Sequence, residues 1–267
     1  ILELQEKYRT NPRVGQVYDI AAHDALARQA VCESAVLLKN DGLLPVKQGC
    51  SLAVIGAFAQ TPRYQGAGSS KINPHQITSA VETLQAEGIS FEYSPGYDLS
   101  NKENAEALIA QAAEVAQDKD IVLVYAGLPD EYESEGFDRT HLDLPAEHNL
   151  LIERLSAVNP NIVVVLHGGS AVRMPWLANV KAVLLLGLGG QCVGAASIDL
   201  LFGRANPSGK LSETYPLALE DNPSYKQFGQ RLVTQYRESI YVGYRYYDKA
   251  HKEVLFPFGY GLSAGRR

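Results

Sequence analysis

Cysteine is scarce in this sequence, and its placement argues against a disulfide scaffold. The 267 residues include three cysteines, Cys32, Cys50 and Cys192, and no C-x-x-C pair. Disulfide-bonded domains and cysteine-bound zinc sites need several cysteines at short, regular spacing. We therefore predict a reducing compartment, the cytoplasm. Cys32, inside a helical pattern, is predicted to be a small buried hydrophobe.

Metal and nucleophile signatures are missing as well. The six histidines show no H-E-x-x-H or related spacing, so no metal site and no cofactor is predicted. No G-x-S-x-G motif follows a strand, which argues against a serine nucleophile. His167, at the end of a predicted strand, has a position that suits lining a site. We interpret it instead as a buried histidine whose hydrogen bonds are satisfied.

The chain has neither a basic excess nor a long apolar run. It carries 24 Lys and Arg against 30 Asp and Glu, a net charge of −6, so we expect neither nucleic acid nor an anionic membrane as a partner. No stretch reaches the roughly 18 apolar residues of a membrane-spanning helix. The first residues, "ILELQEKYRTNPR", lack the segments of a signal peptide. A hydrophobic content of 46% is typical of globular proteins.

Two hydrophobic periodicities alternate along the chain. Short apolar runs predict strands over 52–56, 89–93, 121–126, 161–168 and 181–188. Apolar residues at three- and four-residue spacing predict helices over 19–38, 76–88, 102–117, 146–157 and 192–202. Apolar strands alternating with helices indicate an α/β fold with a mostly parallel sheet and helices on both faces. Loops that follow the strands would then lie along the carboxyl edge, where open α/β sheets bind ligands.

Two segments depart from this alternation: residues 57–75, here called the glycine loop, and residues 204–263, which are predicted to wrap the sheet. The glycine loop contains "YQGAGSSKINP", in which G-x-G is not followed by a third glycine. Because the phosphate-binding G-K-[ST] is also missing, nucleotide binding is disfavoured. Two interpretations remain: a flexible loop, or a substrate loop in which Ser69 and Ser70 form hydrogen bonds to a polyhydroxylated ligand.

The second candidate site is the acidic loop, residues 130–139, which follows the apolar strand 121–126. Its sequence, "DEYESEGFDR", contains five carboxylates. One interpretation is a solvated surface loop. The other is catalysis by Glu135, with Phe137 as an apolar wall. An apolar wall and neighbouring carboxylates raise a carboxyl pKa, as a general acid requires. Asp138 and Arg139 are expected to form an ion pair or to cap the loop.

Several segments, taken in order, resemble glycoside hydrolase family 3, which includes the β-glucosidases. They cover roughly residues 19–263 and read "AHDALARQAVCESAVLLKNDGLLPV", "LAVIGAFAQTPRYQGAGSSKINP", "GLPDEYESEGFDRTHLDLPAEHNLLI", "LFGRANPSGKLSETYP" and "YVGYRYYDKAHKEVLFPFGYGLS". The resemblance implies an α/β sandwich, flavodoxin-like in architecture, that is the second domain of a larger enzyme. It also implies a β-linked glucoside or oligosaccharide as the substrate.

The resemblance assigns roles to single residues. Glu135 precedes Gly-aromatic-Asp-Arg, the position of the general acid/base. Ser69 and Ser70, and more weakly Gln65, match a loop that approaches the glycone. The other charged residues of the acidic loop divide into those expected to support Glu135 and those expected only to be solvated. Glu133, Asp138 and Arg139 are expected to position or tune Glu135, whereas Asp130 and Glu131 are expected only to keep the loop in water.

One departure from the family pattern decides the domain organisation. The family's aspartate nucleophile, in an S-D-W-type motif, and its K-H-F-type sugar-binding motif lie on a (β/α)₈ barrel, and neither motif is present. The single tryptophan, Trp176, has no aspartate before it. We therefore expect residues 1–18 to be a linker from a missing barrel, residues 19–263 to be the α/β sandwich, and residues 264–267 to be a truncated or non-native tail.

Three functions follow from these observations. The first is the acid/base-bearing domain of a retaining, exo-acting β-glycosidase, which is inactive until an N-terminal barrel domain supplies the nucleophile. The second is a non-catalytic carbohydrate-binding or scaffolding module. The third is a flavodoxin-like nucleotide binder, and the chemistry of the glycine loop argues against it.

Overall fold

A six-stranded, mostly parallel sheet forms the centre of the molecule. The computed structural model describes residues 1–13, 15, 17–101, 103–229 and 232–264. The strands, in chain order, are β1 (Val36–Asn40), β2 (Leu52–Ile55), β3 (Glu92–Ser94), β4 (Ile121–Gly127), β5 (Ile162–His167) and β6 (Ala182–Gly187). Their order across the sheet is β1-β6-β5-β4-β2-β3, with β1 antiparallel to β6 and the other neighbours parallel. The predicted α/β fold with a mostly parallel sheet is confirmed.

Helices cover the sheet in two groups. The helices are α1 (Leu2–Arg9), α2 (Ile20–Ser34), α3 (Ala80–Ala86), α4 (Ala105–Ala116), α5 (Ala146–Val158), α6 (Val193–Leu201) and α7 (Tyr244–Ala250). Helix α4 packs against α5, and α6 packs against α2 and α3. Every residue of β2, β4 and β5 is buried, which a strand achieves only when both faces of the sheet are covered.

The predicted helix over 19–38 is wrong in its last four residues, 35–38. Asp19 caps the helix, its side chain accepting a hydrogen bond from the Ala22 amide at 3.1 Å. The helix ends at Ser34, Ala35 is extended, and Val36–Asn40 forms the edge strand β1. The apolar run "AVLL" continues the helical spacing, so periodicity alone could not separate the two states. The segment is a strand because pairing with β6 provides hydrogen-bond partners for its buried backbone N–H and C=O groups.

The two ends of the chain are less regular than the sheet. Residues 204–263 contain α7 and a small antiparallel pair, β7 (Tyr215–Pro216) and β8 (Val254–Phe256), which agrees with the predicted wrapping segment. Helix α1 contains no buried residue. The division into a linker 1–18, a sandwich 19–263 and a tail 264–267 stays a prediction, and Val14, Gln16 and residues 265–267 lie outside the described residues.

Two smaller predictions concern the cysteines and membrane-spanning helices. Cys32 is buried, as predicted, and Cys32, Cys50 and Cys192 are all unpaired thiols. Within the described part of the chain, no helix combines the length and the apolar character needed to cross a membrane.

Tyr97 connects the loop after β3 to the start of the glycine loop. Its ring is buried, its hydroxyl donates to the carbonyl oxygen of Tyr125 at 2.9 Å, and it accepts from the amide of Phe58 at 3.1 Å. Phe58 and Tyr97 also meet edge to face, with ring centroids 5.8 Å apart. One side chain therefore anchors the first residues of the glycine loop to the end of β4.

Tyr97→Phe should lower the free energy of unfolding. The change removes both hydrogen bonds of the hydroxyl and leaves the amide of Phe58 without this acceptor, a loss of about 1–3 kcal/mol. Urea denaturation followed by circular dichroism measures it. Tyr8→Phe is the control, because Tyr8 is 66% exposed on α1. Equal stability of the two variants would contradict the anchoring role.

Candidate active site

The carboxyl ends of three neighbouring parallel strands position both candidate loops. β4 pairs with β2 on one side and with β5 on the other. The glycine loop follows β2, the acidic loop follows β4, and residues 168–171 follow β5. Because parallel strands end at the same edge, these three segments meet in space. The predicted placement of both loops on the carboxyl edge is confirmed.

Arg63, in the glycine loop, joins that loop to the acidic loop. Its guanidinium is buried, with 5% of the side chain exposed. It donates to the carbonyl oxygens of Gln65, Leu128 and Glu133, and it forms an ion pair with Asp130. A single buried cation therefore binds its own loop at Gln65 and the acidic loop at Asp130 and Glu133.

Asp130 corrects the prediction that it serves only for solvation. Besides Arg63, it contacts the Lys71 ammonium at 3.4 Å. Its carboxylate offsets the charge of Arg63, which would otherwise be buried without a counterion. Glu131, in contrast, is exposed, as predicted.

Glu133 attaches the acidic loop to the segment after β5. Its carboxylate accepts hydrogen bonds from the Gly169 amide at 2.9 and 3.0 Å and from the Ser170 hydroxyl at 2.5 Å. These contacts fix the backbone two residues before Glu135. A positioning role for Glu133 remains a prediction, and the contacts are of the kind such a role requires.

Glu135 lies at the exposed tip of the acidic loop and contacts the glycine loop. Its Oε2 accepts hydrogen bonds from the Ser69 amide at 2.8 Å and from the Ser69 hydroxyl at 2.5 Å. The loops approach closely enough that a Cβ on Gly68, where φ is +86°, would lie 2.6 Å from the Cβ of Glu135. Glycine at this position is therefore required by both conformation and space.

The expected rise in the pKa of Glu135 is wrong for this chain. The hydrogen bonds from the Ser69 side chain and amide lower the pKa of Glu135 below its usual value, because they favour the charged form. Phe137 supplies no apolar wall, since it is 72% exposed. The side chain of Glu135 is therefore held as a carboxylate.

The other predicted ligand residues take different positions. Gln65 braces its own loop, donating to the Tyr64 hydroxyl at 2.8 Å and to the Ile72 carbonyl at 2.9 Å, while its Oε1 accepts from the Ile72 amide. Ser70 is exposed at the end of the turn Gly68–Ser70. Only Ser69, among these three residues, contacts Glu135 in the described structure.

Asp138 and Arg139 do not form the expected ion pair in the described structure. Asp138 is exposed, whereas Arg139 turns inward and donates from Nη2 to the Ala171 carbonyl at 2.7 Å. The nearby carboxylates of Glu133 and Glu213 raise the pKa of Arg139, but burial outweighs them and lowers it. Arg139 therefore joins the acidic loop to the segment after β5, as Glu133 does.

His167, at the end of β5, is buried beneath the glycine loop. Its Nδ1 lies 3.0 Å from the Arg63 carbonyl oxygen and donates to it in the neutral ring. In the described part of the chain, Nε2 has no hydrogen-bond partner, so the predicted full satisfaction of this histidine is only half correct. Burial lowers the pKa of His167 to about 4, which keeps the ring neutral.

Concavities at the carboxyl edge are small. A cleft of about 190 Å³ lies against the acidic loop and includes Phe137 and Arg139. A larger groove, of about 1010 Å³, lies at the opposite edge, around the start of β2 and β3. No group of His, Cys, Asp or Glu in the described residues has the arrangement of a metal site. The candidate site is thus an exposed surface on which Glu135 is the carboxylate that contacts the glycine loop.

The functional residues that the sequence did not indicate are Arg63, Asp130 and Ser170. Arg63 lies within a segment that carries the family resemblance, but nothing in the sequence distinguished it from the glycines and serines of the same loop. Its role depends on four acceptors, of which three lie in the distant segment 128–133, and only the fold brings these within reach.

Fold and site define an α/β domain that presents a loop glutamate at the carboxyl edge of its sheet. Residues 35–264 match the model of the glycosyl hydrolase family 3 C-terminal domain. The chain belongs to glycoside hydrolase family 3 and comprises the C-terminal domain of that family. The resemblance stated from the sequence motifs is confirmed.

Similar proteins are glycosidases of greater length. The chain is 52% identical over 258 residues to thermostable beta-glucosidase B of Acetivibrio thermocellus, covering 95% of this chain and 34% of that protein. It is 45% identical over 258 residues to an exo-alpha-(1->6)-L-arabinopyranosidase of Bifidobacterium longum, covering 92% and 34%. A crystal structure of a GH3 beta-glucosidase from Bifidobacterium adolescentis matches with a TM-score of 0.93 at 45% identity, covering 99% of this chain and 40% of that one. The chain thus spans about a third of the length of these curated relatives.

Arg63→Met should loosen both loops at once. The variant keeps the length of the side chain but loses its hydrogen bonds, leaving buried acceptors unpaired at a cost of about 1–3 kcal/mol. Amide exchange is expected to accelerate at residues 64–72 and 130–135 and to stay unchanged in α5. Arg154→Met, at an exposed position of α5, is the matched control. Unchanged exchange in either loop would show that Arg63 does not join them.

His167 should make stability depend on pH below neutrality. Its pKa is about 4 in the folded chain against an ordinary 6.5, so the unfolded chain binds more protons between these values. The contribution of His167 to the free energy of unfolding is complete above about pH 6.5 and is lost as the pH falls through about 4. In His167→Gln the change in the free energy of unfolding across this pH range should be smaller by about 3 kcal/mol.

Urea denaturation of wild type and His167→Gln from pH 4 to 7 measures this difference. His23→Gln, at an exposed position of α2, is the control and should leave the wild-type slope intact. A His167→Gln profile parallel to that of wild type would contradict the low pKa.

Proposed function

We propose that this chain is the acid/base-bearing domain of a retaining, exo-acting β-glycosidase. Glu135 is the general acid/base, and terminal β-linked glucosides are the substrates. The observation that carries the proposal is the presentation of Glu135: an exposed carboxylate at the carboxyl edge, on a loop attached to its neighbours through Arg63, Glu133 and Arg139. Family membership and the glycosidase names of the relatives support it.

The chemistry requires a second carboxylate from elsewhere. Retaining glycosidases use a nucleophile and an acid/base about 5–5.5 Å apart. We propose that the nucleophile lies on a (β/α)₈ barrel domain of the same enzyme, facing the carboxyl edge of this sheet. Glu135 then protonates the leaving oxygen in the first step and deprotonates a water molecule in the second. The chain by itself is accordingly inactive as a hydrolase.

The substrate contacts proposed here are Ser69, Ser70 and Gln65 of the glycine loop. The exposed hydroxyls of Ser69 and Ser70 suit hydrogen bonds to sugar hydroxyls. Gln65 already uses its amide group to brace the loop, so its contribution to binding is through loop shape. Glucosides are the class named for two of the similar proteins, and an arabinopyranoside is named for a third.

A carbohydrate-binding or scaffolding module is the second candidate for the isolated chain. The observation in its favour is the pair of hydrogen bonds from the Ser69 amide and hydroxyl to Glu135, which suit an anionic acceptor better than an acid. Calorimetry with glucose and cellobiose on the 267-residue chain distinguishes the two functions. The glycosidase proposal expects weak or no binding, because half of the pocket lies on the barrel.

Glu135→Ala tests the proposal in a chimera in which this chain replaces the matching third of the Acetivibrio thermocellus enzyme. Hydrolysis of cellobiose should fall by about 10²–10⁴-fold, the usual contribution of a general acid. A dinitrophenyl β-glucoside, whose leaving group needs no protonation, should lose less activity, and azide should restore part of it as the glycosyl azide.

Glu131→Ala, an exposed carboxylate of the same loop, is the matched control and should keep chimera activity. The 267-residue chain alone should not hydrolyse either substrate. Unchanged cellobiose turnover in Glu135→Ala would remove Glu135 from the reaction, and turnover by the chain alone would refute the need for a barrel.

A further inference from the structure

Ser69 directs both of its hydrogen-bond donors at the residue proposed as the acid. The amide donates to Glu135 Oε2 at 2.8 Å and the hydroxyl donates to the same oxygen at 2.5 Å. Ser70, the adjacent serine, has no such contact and its side chain is exposed. Ser69 and Ser70 are equally good candidates for ligand binding by sequence, but they differ in their contacts with Glu135.

Among the residues that the structure describes, no charged side chain accounts for the lowered pKa of Glu135. The lowering of its pKa comes from the Ser69 hydroxyl and the Ser69 amide, in that order, opposed by a small effect of burial. On the glycine loop, the Lys71 ammonium is directed at Asp130 and Arg63 is occupied by Asp130 and carbonyl oxygens. On the acidic loop itself, the Glu133 carboxylate is bound by Gly169 and Ser170. Asp138 is exposed.

This arrangement conflicts with acid catalysis. A backbone amide can only donate, so its hydrogen bond is lost or weakened when the carboxylate gains a proton. A general acid must hold a proton at the working pH, so the contact with Ser69 opposes the first step of the reaction. The contact is also exposed, which leaves the Ser69 donors accessible to a hydroxyl group of a bound sugar.

We propose that Ser69 and Glu135 form a clasp that a bound sugar opens. A sugar hydroxyl takes the donors of Ser69, and Glu135 is released to protonate the leaving oxygen. Ser69 is thereby a positioning residue that couples occupancy of the glycone site to the protonation of the acid. The inference rests on the proposed function for its consequence in catalysis, whereas the clasp itself can be measured without any activity.

The clasp has two independent points of attack. Ser69→Ala removes the hydroxyl. Gly68→Ala separates the loops by another route, because a Cβ there would lie 2.6 Å from the Cβ and 2.8 Å from Oε2 of Glu135. Ser69→Ala should weaken the clasp by leaving only the amide donor, and Gly68→Ala should separate the loops, while Ser70→Ala should do neither.

The first experiment titrates Glu135 in the 267-residue chain by NMR of ¹³C-labelled glutamate, with Glu135→Gln assigning the signal. The pKa should lie below the ordinary range in wild type and Ser70→Ala, and should rise in Ser69→Ala and Gly68→Ala. Equal titration of wild type and Ser69→Ala would overturn the clasp. This outcome is independent of whether the chain belongs to a glycosidase.

The second experiment measures pH profiles of the chimera with cellobiose. The alkaline limb of kcat/KM reports the acid in the free enzyme, and that of kcat reports it in the complex. In wild type the kcat limb should lie at higher pH, because the sugar has opened the clasp. In Ser69→Ala the kcat/KM limb should move up towards it and narrow the gap, because only the amide donor remains, and in Ser70→Ala the gap should keep its wild-type width.

A gap in Ser69→Ala as wide as that of wild type would overturn the coupling, as would coincident limbs in wild type. Failure of the proposed function is recognised separately. In that case Glu135→Ala keeps its cellobiose activity in the chimera, while the NMR titration still reports whether the clasp exists.

Discussion

The burial of β4 between β2 and β5 is the constraint on which the rest of the structure depends. A strand with every residue buried must pair its backbone on both sides and must have both faces covered. Parallel pairing then brings the ends of three strands to one edge. The glycine loop, the acidic loop and residues 168–171 are neighbours for this reason alone, although they are separated by tens of residues in the chain.

Within that edge, hydrogen bonds to charged groups fix the loops. Arg63 is nearly enclosed, and its acceptors come from both loops. Asp130 neutralises it, and Glu133 and Arg139 attach the acidic loop to the segment after β5. Glu135 is thus presented by a loop tied down on both sides, which is the precision that a catalytic carboxylate requires.

The carboxylates of the acidic loop show how environment separates chemically similar residues. Asp130 is a counterion, Glu133 accepts backbone and hydroxyl hydrogen bonds, and Glu135 accepts from Ser69, whereas Glu131 and Asp138 are exposed. The resemblance singled out Glu135 by its place before Gly-Phe-Asp-Arg, and the family is confirmed. The expected raised pKa failed because Phe137 points to solvent and Ser69 supplies donors.

The sequence by itself determined the α/β class, the five apolar strands, the two exceptional loops and the family. These features follow from local periodicity and short motifs, which a single segment contains. Tertiary structure alone decided that Val36–Asn40 is a strand, that Arg63 joins two loops, and that Glu135 is held as an anion. Each of these depends on partners distant in the chain, and the energy of a hydrogen bond or an edge pairing exists only when the fold brings both partners within reach.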